Sequence, residues 1–371
     1  YEPYKSYEPY FRITKGEVIS NESGVDNDPT QGINRDTALD MAYWGFGIER
    51  LLTVDVTKAY IHANAAAADV DQVLAIANST KYGGAGYTSS NLGTLAGGNA
   101  AAVEIAIHEN GHSLARLADE YTYGGPTTYI APEPEEANVS TYDIIQQVIQ
   151  MRKWHQWVGV TMSGLDGPVN SVEGAKYSVF GIYRPTDNSM MRNLGRPFNP
   201  PSAERLITTI YAEVNPIDDG LIDGTAWDVS DNIWITPMQP IGHSLDIEWT
   251  IDGTVDNSFD GMSSINLSNY GLSVGPHSVK VRVADNTPMV RDQILYNLRM
   301  VEERNYTVNV NPCDSLANLN GDDLLNLQDI FVFLNLYNSQ FPEADLAAPF
   351  GVFNLQDVFA YLAIFNAGCG P

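Results

Sequence analysis

The stretch His108-Glu109-Asn110-Gly111-His112, running on through Ser113-Leu114-Ala115-Arg116-Leu117-Ala118-Asp119-Glu120-Tyr121, decides how the rest of the chain is read. On a helix, side chains four residues apart project from one face about a turn apart. His108 and His112 can therefore both reach one Zn²⁺, with Glu109 beside a water on the metal. That is the pattern of a hydrolytic zinc site. The five-residue string also arises on solvated helices, so the flanking sequence has to decide.

Length and charge set bounds first. At roughly 150 residues per domain, 371 residues predict two or three domains. The 46 acidic and 20 basic residues give a formal net charge of -26, which argues against nucleic acid or an anionic membrane surface as partner and for solubility. No apolar run approaches the roughly 20 residues that span a bilayer, and the start at Tyr1 leads us to expect a mature or trimmed form. The only cysteines, Cys313 and Cys369, bracket the last sixty residues, as a disulfide closing a small module would in an oxidising, extracytoplasmic compartment.

Outward from the motif, the predicted motif helix starts near Ala100, with Val103, Ile107, Leu114 and Ala118 as its core-facing ridge and Glu104, His108 and His112 on an adjacent face. Upstream, Phe11 to Thr14 and Glu17 to Ser20 read as short strands. Asp36-Thr37 reads as an N-cap before a helix over Ala38 to Tyr43. Asp26, Asp28 and Asp36 are read as turn formers rather than calcium ligands. Val56 to Ala68 favours helix and Asp71 to Asn78 a buried strand, followed by the glycine cluster Tyr82-Gly83-Gly84-Ala85-Gly86-Tyr87. Those glycines mark either a turn or a close approach by another chain. Downstream come a helix from about Ser140 to Trp154, an aromatic end in which His155 is read as a surface residue, and a helix over Ser202 to Val214.

After Pro216 the period changes to two. Leu245, Ile247, Trp249 and Ile251 alternate within one segment and Val279, Val281 and Val283 within another, as in a β-sandwich. The last sixty residues hold an internal repeat, Asn326-Leu327-Gln328-Asp329 answered by Asn354-Leu355-Gln356-Asp357, each before an apolar helix. Asn318, Asn320, Asp322, Asn326 and Asp329 stand at positions 1, 3, 5, 9 and 12 of a loop suited to Ca²⁺. The second copy has Ala347, Ala348 and Pro349 where oxygen ligands belong, which leaves its calcium binding open.

Taken together, His108 to Tyr121, Tyr82 to Gly86, Tyr183-Arg184-Pro185 and Met190-Met191-Arg192 resemble the IgA-peptidase-like zinc metallopeptidases, peptidase family M64, over roughly residues 10 to 214. Residues 313 to 371 resemble a type I dockerin, close to the planctomycete-type variant ending Asn366-Ala367-Gly368-Cys369. The fold expected is multidomain: an α/β metzincin-like (zincin) catalytic domain over 1–214, an all-β immunoglobulin-like sandwich over 215–311, and a small all-α dockerin-like calcium module over 312–371.

The resemblance implies His108 and His112 as zinc ligands, Glu109 as general base, and Met190 or Met191 as the floor under the metal. Typical metzincins carry a glycine three residues after the second histidine and the third ligand three further on; Ala115 and Ala118 stand there. Asp119 is the favoured third ligand and Glu120 the alternative. Along a continuous helix Asp119 would lie about 10.5 Å from His112, seven residues at about 1.5 Å each, so the helix must end or bend between Ala115 and Asp119. Tyr82, Gly83 and Gly84 are expected to pair with substrate backbone, and Tyr183 to steady the oxyanion.

The function expected is a secreted bacterial zinc endopeptidase with a structural Ca²⁺ in its last module, a protein or peptide substrate, and a cohesin or cell-surface partner. The rival is a non-catalytic binding or adhesion protein whose zinc helix is structural or decayed.

Overall fold

The computed structural model describes residues 1–311, 313, 315–322 and 324–368. They form a mixed α/β, two-unit protein. The first unit comprises Tyr1–Asp218, Met238–Leu245 and Ala284–Glu302; the second comprises Asp219–Pro237, Asp246–Val283 and Glu303 onward. Two segments of the region that the sequence assigns to the sandwich thus cluster with the first unit.

In the first unit, helix α1 (Val56–Ala66) starts where the Asp55 carboxylate accepts the Lys58 N–H. Strands β1 (Val73–Ala77), β2 (Gly84–Tyr87) and β3 (Leu92–Ala96) form a sheet in the order β1-β3-β2, with β3 parallel to β1 and antiparallel to β2. The central strand β3 is buried throughout. Helix α2 (Ala102–Ser113) follows at once and packs on β2 and β3. On the far side of the sheet's core, Val25, Met41, Tyr43, Leu52, Val54 and Leu92 cluster with alanines of α1 and β1.

Further on come α3 (Ile144–Gln150), the hairpin β4 (Val172–Ala175) and β5 (Ser178–Arg184), and α4 (Pro200–Glu213), capped by Asn199. A second core joins Tyr7, Tyr10, Ile207, Ile210 and Tyr211 of the start and α4 to Val290 and Met300. At its heart the buried Asp285 accepts hydrogen bonds from Tyr7 at 2.7 Å and Tyr211 at 2.8 Å and meets His243 at 2.9 Å.

Several local expectations fail here, in whole or in part. Phe11–Thr14 and Glu17–Ser20 pair with nothing, and Ile13 and Ile19 stand in solvent. Ala38–Tyr43 is not helical. Met41 and Tyr43 alternate into the core while Ala42 bridges Thr53 and Asp26, a period of two overlooked in so short a run. On α2 the predicted ridge fails at Val103, which is exposed; Ile107 and Leu114 pack on a core cluster and Ala118 is buried, while Ile105, Glu109, Gly111 and Ser113 make up the helix's buried face. The helix Ser140–Trp154 shrinks to the seven residues of α3, opened by a capping box between Asp143 and Gln146, with Ile145, Val148 and Ile149 outside.

The second unit holds β6 (Ile217–Gly220), which crosses the boundary, β7 (Ala226–Asp228), β8 (Asn232–Pro237), β9 (Asp246–Ile251), β10 (Thr254–Val255), β11 (Ser264–Asn266), β12 (Gly275–Ala284) and β13 (Val301–Val310). Their sheet orders are β10-β9-β12-β13-β7 and β11-β8-β6. Ile247, Trp249 and Ile251 on β9 and Val279, Val281 and Val283 on β12 are buried, as their alternation requires. Between β12 and β13, α5 (Gln293–Arg299) belongs to the first unit.

Helices α6 (Leu327–Asn338) and α7 (Leu355–Ala367) each open on a capping box, Asn326 with Asp329 and Asn354 with Asp357. Phe333 and Tyr361 stack between them at 4.0 Å. In the first repeat, the side-chain oxygens of Asn318, Asn320, Asp322, Asn326 and Asp329 accept N–H groups of their own loop. Asp329 takes those of Leu319, Asn320 and Asn326. These bonds fold the loop's oxygens onto its own backbone. Cys313 is disulfide-bonded, and Cys369 lies outside the described residues.

Candidate metal centre

The site begins with two glycines. A Cβ on Gly84 would stand 2.7 Å from Ile105 Cγ2 and 2.8 Å from Glu109 Oε1, and one on Gly86 only 2.5 Å from His112 Cβ. The bare strand β2 is therefore what lets α2 lie against the sheet with Glu109 inward. Gly111 does the same on the helix's other side, where a Cβ would meet Met191 Sδ at 2.7 Å.

Helix α2 ends at Ser113. Leu117 N–H then reaches Gly111 O at 3.0 Å and Arg116 N–H reaches His112 O at 3.1 Å, with Arg116 left-handed at φ 54°. The bond from Arg116, the left-handed residue, to His112 O is that of an αL helix ending, with arginine where glycine is usual. The reversal returns the chain to the helix, and Asp119 Oδ1 lies 3.2 Å from His108 Nε2 and 3.2 Å from His112 Nε2. The two Nε2 atoms are themselves 3.2 Å apart.

Both rings are oriented from behind. His108 Nδ1 is 3.0 Å from Met190 O and His112 Nδ1 2.6 Å from Leu117 O. A carbonyl only accepts, so each Nδ1 carries the proton and each Nε2 turns its lone pair toward the other and toward Asp119. Asp119 Oδ1 is buried and makes no hydrogen bond. With both imidazoles neutral, two lone pairs and a carboxylate oxygen converge there, an arrangement that suits a divalent cation. Glu109 also brings a carboxylate oxygen within 4.8 Å of both imidazoles. The triangle closed by Asp119 is the tighter, so Asp119 and the two imidazoles could hold a cation with Glu109 beside them.

Burial presses the His112 pKa down, but the Asp119 carboxylate outweighs it and lifts the group to about 9. Burial likewise presses Asp119 up, and the imidazoles outweigh it, holding the acid far below the carboxylate range. For Glu109 burial dominates and raises the pKa.

The other oxygen of Asp119 accepts the Tyr177 hydroxyl. Tyr177 sits on the β4–β5 turn, where both Lys176 (φ 43°) and Tyr177 (φ 67°) are left-handed, as a two-residue hairpin of this type demands. Non-glycine residues there store strain, and this turn keeps it while placing a hydroxyl on a metal-centre carboxylate. Lys176 N–H to Asp119 O and Tyr177 N–H to Tyr121 O, each 3.0 Å, tie the turn to the strand-like run after the helix.

Glu120, the alternative donor of the sequence, points elsewhere. Its buried carboxylate accepts Asn138 Nδ2 and Asn199 Nδ2, each at 2.9 Å, and Ser189 Oγ at 2.6 Å, while its N–H donates to Met191 O at 2.8 Å. It fastens the Ser189–Met191 turn beneath the donors. Met190 and Met191 are both fully buried there, Met190 supplying the carbonyl for His108 and Met191 the sulfur against Gly111.

A cleft of ≈ 320 Å³ opens over the centre, lined among others by Arg50, Tyr82, Glu109, Tyr121, Tyr123 and Arg192. Two expectations need correcting. Tyr183 lies on β5 away from that lining, and the charged groups its hydroxyl feels are Glu173 and Asp143. The free edge imagined at Gly83 and Gly84 is taken up: Gly84 N–H donates to Arg50 O, Leu52 N–H to Gly84 O, and Ala96 N–H to Gly83 O. Tyr82 alone of the three lines the cleft. Arg50, Tyr123 and Tyr177 escaped the sequence reading. The pair Tyr121 and Tyr123, one residue apart just after Asp119, was the available signal.

Residues 1–171 match the family model described as IgA Peptidase M64. The match bears out the resemblance read from the sequence over that segment; it includes the two histidines, Glu109 and Asp119, and stops just before β4. No curated protein was found to match the chain.

Proposed function

We propose, with the M64 match as premise, that this chain is a zinc-dependent endopeptidase whose metal is held by His108, His112 and Asp119. The observation that carries the reading is the donor triangle. Donors bonded to zinc at about 2.0–2.1 Å in a tetrahedron stand about 3.3–3.4 Å apart, and the three here are each 3.2 Å from the next. Zn²⁺, when bound, supplies Lewis acidity toward water and the peptide carbonyl.

The chain's own groups do the rest. Glu109, buried between the bare strand and the imidazoles, takes the proton of the attacking water and hands it to the departing amine. Its raised pKa brings it closer to the task than an ordinary glutamate, since burial favours the protonated form it must pass through. Met190 O and Leu117 O keep both imidazoles in the metal-binding tautomer, and Tyr177 holds Asp119. Tyr82, half exposed on the cleft wall, is the substrate-facing residue among those named from the sequence.

The finer architecture follows the same reading. The two sheets of the second unit support an immunoglobulin-like sandwich, and the paired capped helices a dockerin-like end module for a cohesin or cell-surface partner. The disulfide at Cys313 supports an extracytoplasmic location, and no helix among the described residues is long and apolar enough to cross a membrane. Metal analysis of the purified chain, with peptide-library cleavage before and after chelation, tests the whole. One zinc per chain with chelator-sensitive internal cleavage is expected; cleavage indifferent to zinc removal and restoration would refute it.

A further inference from the structure

We propose that Arg50 binds a carboxylate of the peptide substrate close to the scissile bond, that of an acidic side chain rather than of the chain terminus. This deepens the peptidase reading and rests on it. Arg50 is anchored beside the centre: its carbonyl accepts Gly84 N–H at 3.3 Å, and Gly84 is the residue against which Glu109 Oε1 is packed. Arg50 lines the cleft together with Glu109 and His108.

Arg50 Nη2 donates to Tyr121 OH at 2.8 Å and to Tyr123 OH at 2.9 Å. Both acceptors are phenols. Both N–H groups of Nη2 are thereby used, fixing the plane of the fork and leaving the donors of Nη1 and Nε for a ligand. Among the described residues no carboxylate forms an ion pair with Arg50, whereas its neighbour Lys81 has Glu49 at 3.1 Å.

Acids outnumber bases 46 to 20 in this chain, so a half-buried arginine could readily have been given a carboxylate. It is instead given two hydroxyls that orient it without neutralising it. The second cleft arginine repeats the theme, with Arg192 Nη1 on the backbone oxygen of Glu120 at 3.2 Å. Two guanidiniums thus line the cleft wall, and that of Arg50 has no carboxylate partner among the described residues, which draws a ligand carboxylate to it.

The test uses the full chain, loaded with zinc. N-acetylated hexapeptide pools carry Asp or Glu, or their amides Asn or Gln, at one position flanking the cleaved bond, each pool made as free acid and as C-terminal amide. A charge-assisted pair at about 1.5–3 kcal/mol predicts that wild type favours the acidic member roughly 10- to 100-fold in kcat/KM. The position of the preference tells an acidic side chain from a chain terminus. Arg50→Gln should collapse that ratio to near one and Arg50→Lys should retain part of it. Calorimetric binding of the same pools to Glu109→Gln protein gives a readout without turnover.

Equal rates on acid and amide pools in wild type, with cleavage intact, would overturn the Arg50 assignment and leave the peptidase reading standing. So would an equal loss on both pools in Arg50→Gln, because that is how a merely structural clip on Tyr121 and Tyr123 behaves. Arg50-dependent binding of acidic pools with no cleavage by any form would do the reverse.

Discussion

Asp119 Oδ1 stands 3.2 Å from His112 Nε2 although seven positions and the end of a helix separate them. The approach is made by one left-handed arginine, Arg116, and everything proposed for the centre depends on the chain turning back there.

Glu109→Gln keeps the shape of the buried side chain and removes its basicity. The variant should hold as much zinc as the parent and lose about 10²- to 10⁴-fold in kcat/KM. Metal content and peptide cleavage on the same sample check this, and near-parental turnover by the zinc-loaded variant would exclude Glu109 as the base.

Tyr177→Phe deletes only the hydroxyl on Asp119, and the ring keeps its stack on Tyr123, 5.0 Å away. Zinc affinity should fall about 10- to 100-fold, the usual cost of losing a group that orients a ligand. Competition against a chelating dye measures it; an unchanged affinity would mean the hydroxyl does not orient Asp119.

Metal binding should depend on pH through His112. Its pKa in the metal-free fold is raised from 6.5 to about 9, with Asp119 outweighing burial, so below about pH 9 zinc must displace a proton. Apparent affinity should climb about tenfold per pH unit toward that value. Because the folded pKa is the higher one, the protonated pair stabilises the metal-free protein fully below about 6.5, and that contribution is lost as pH rises through about 9. Melting of chelated protein across pH 6 to 10 should fall accordingly, while a midpoint that rises over that window would contradict the sign.

Gly86→Ala forces a methyl to within 2.5 Å of His112 Cβ. We expect a stability loss of about 1–3 kcal/mol from overpacking, together with weaker zinc binding as α2 is pushed off β2. Denaturant unfolding and zinc titration separate the two effects, and a silent substitution would show that α2 has slack against the strand.

Much of this was legible where one physical signal dominated. The spacing of His108 and His112, the alternation of Trp249 and its neighbours, and the repeated Asn-Leu-Gln-Asp before α6 and α7 are each local patterns. The buried face of α2 was not, because it is chosen by the glycines of β2 rather than by the helix's own apolar residues. Val103 therefore faces solvent while Glu109 goes inside. Arg50 and Tyr177 were illegible for another reason. They lie 69 residues before and 58 after Asp119, in an irregular segment and on a strained turn, and only the tertiary fold brings them to the same cluster of tyrosines.

The carboxylate of Glu120 gathers Asn138, Ser189 and Asn199 from three separate stretches. His108, His112 and Asp119 all lie before residue 171, yet the carbonyl that sets His108, the hydroxyl on Asp119 and two of the three Glu120 anchors lie after it. A fragment cut at the end of the family match would carry every proposed zinc donor but lack Met190 O behind His108 and the Tyr177 hydroxyl on Asp119. The smallest excisable form of this centre therefore runs at least to the end of α4, and a shorter piece would bind zinc as a loose peptide does.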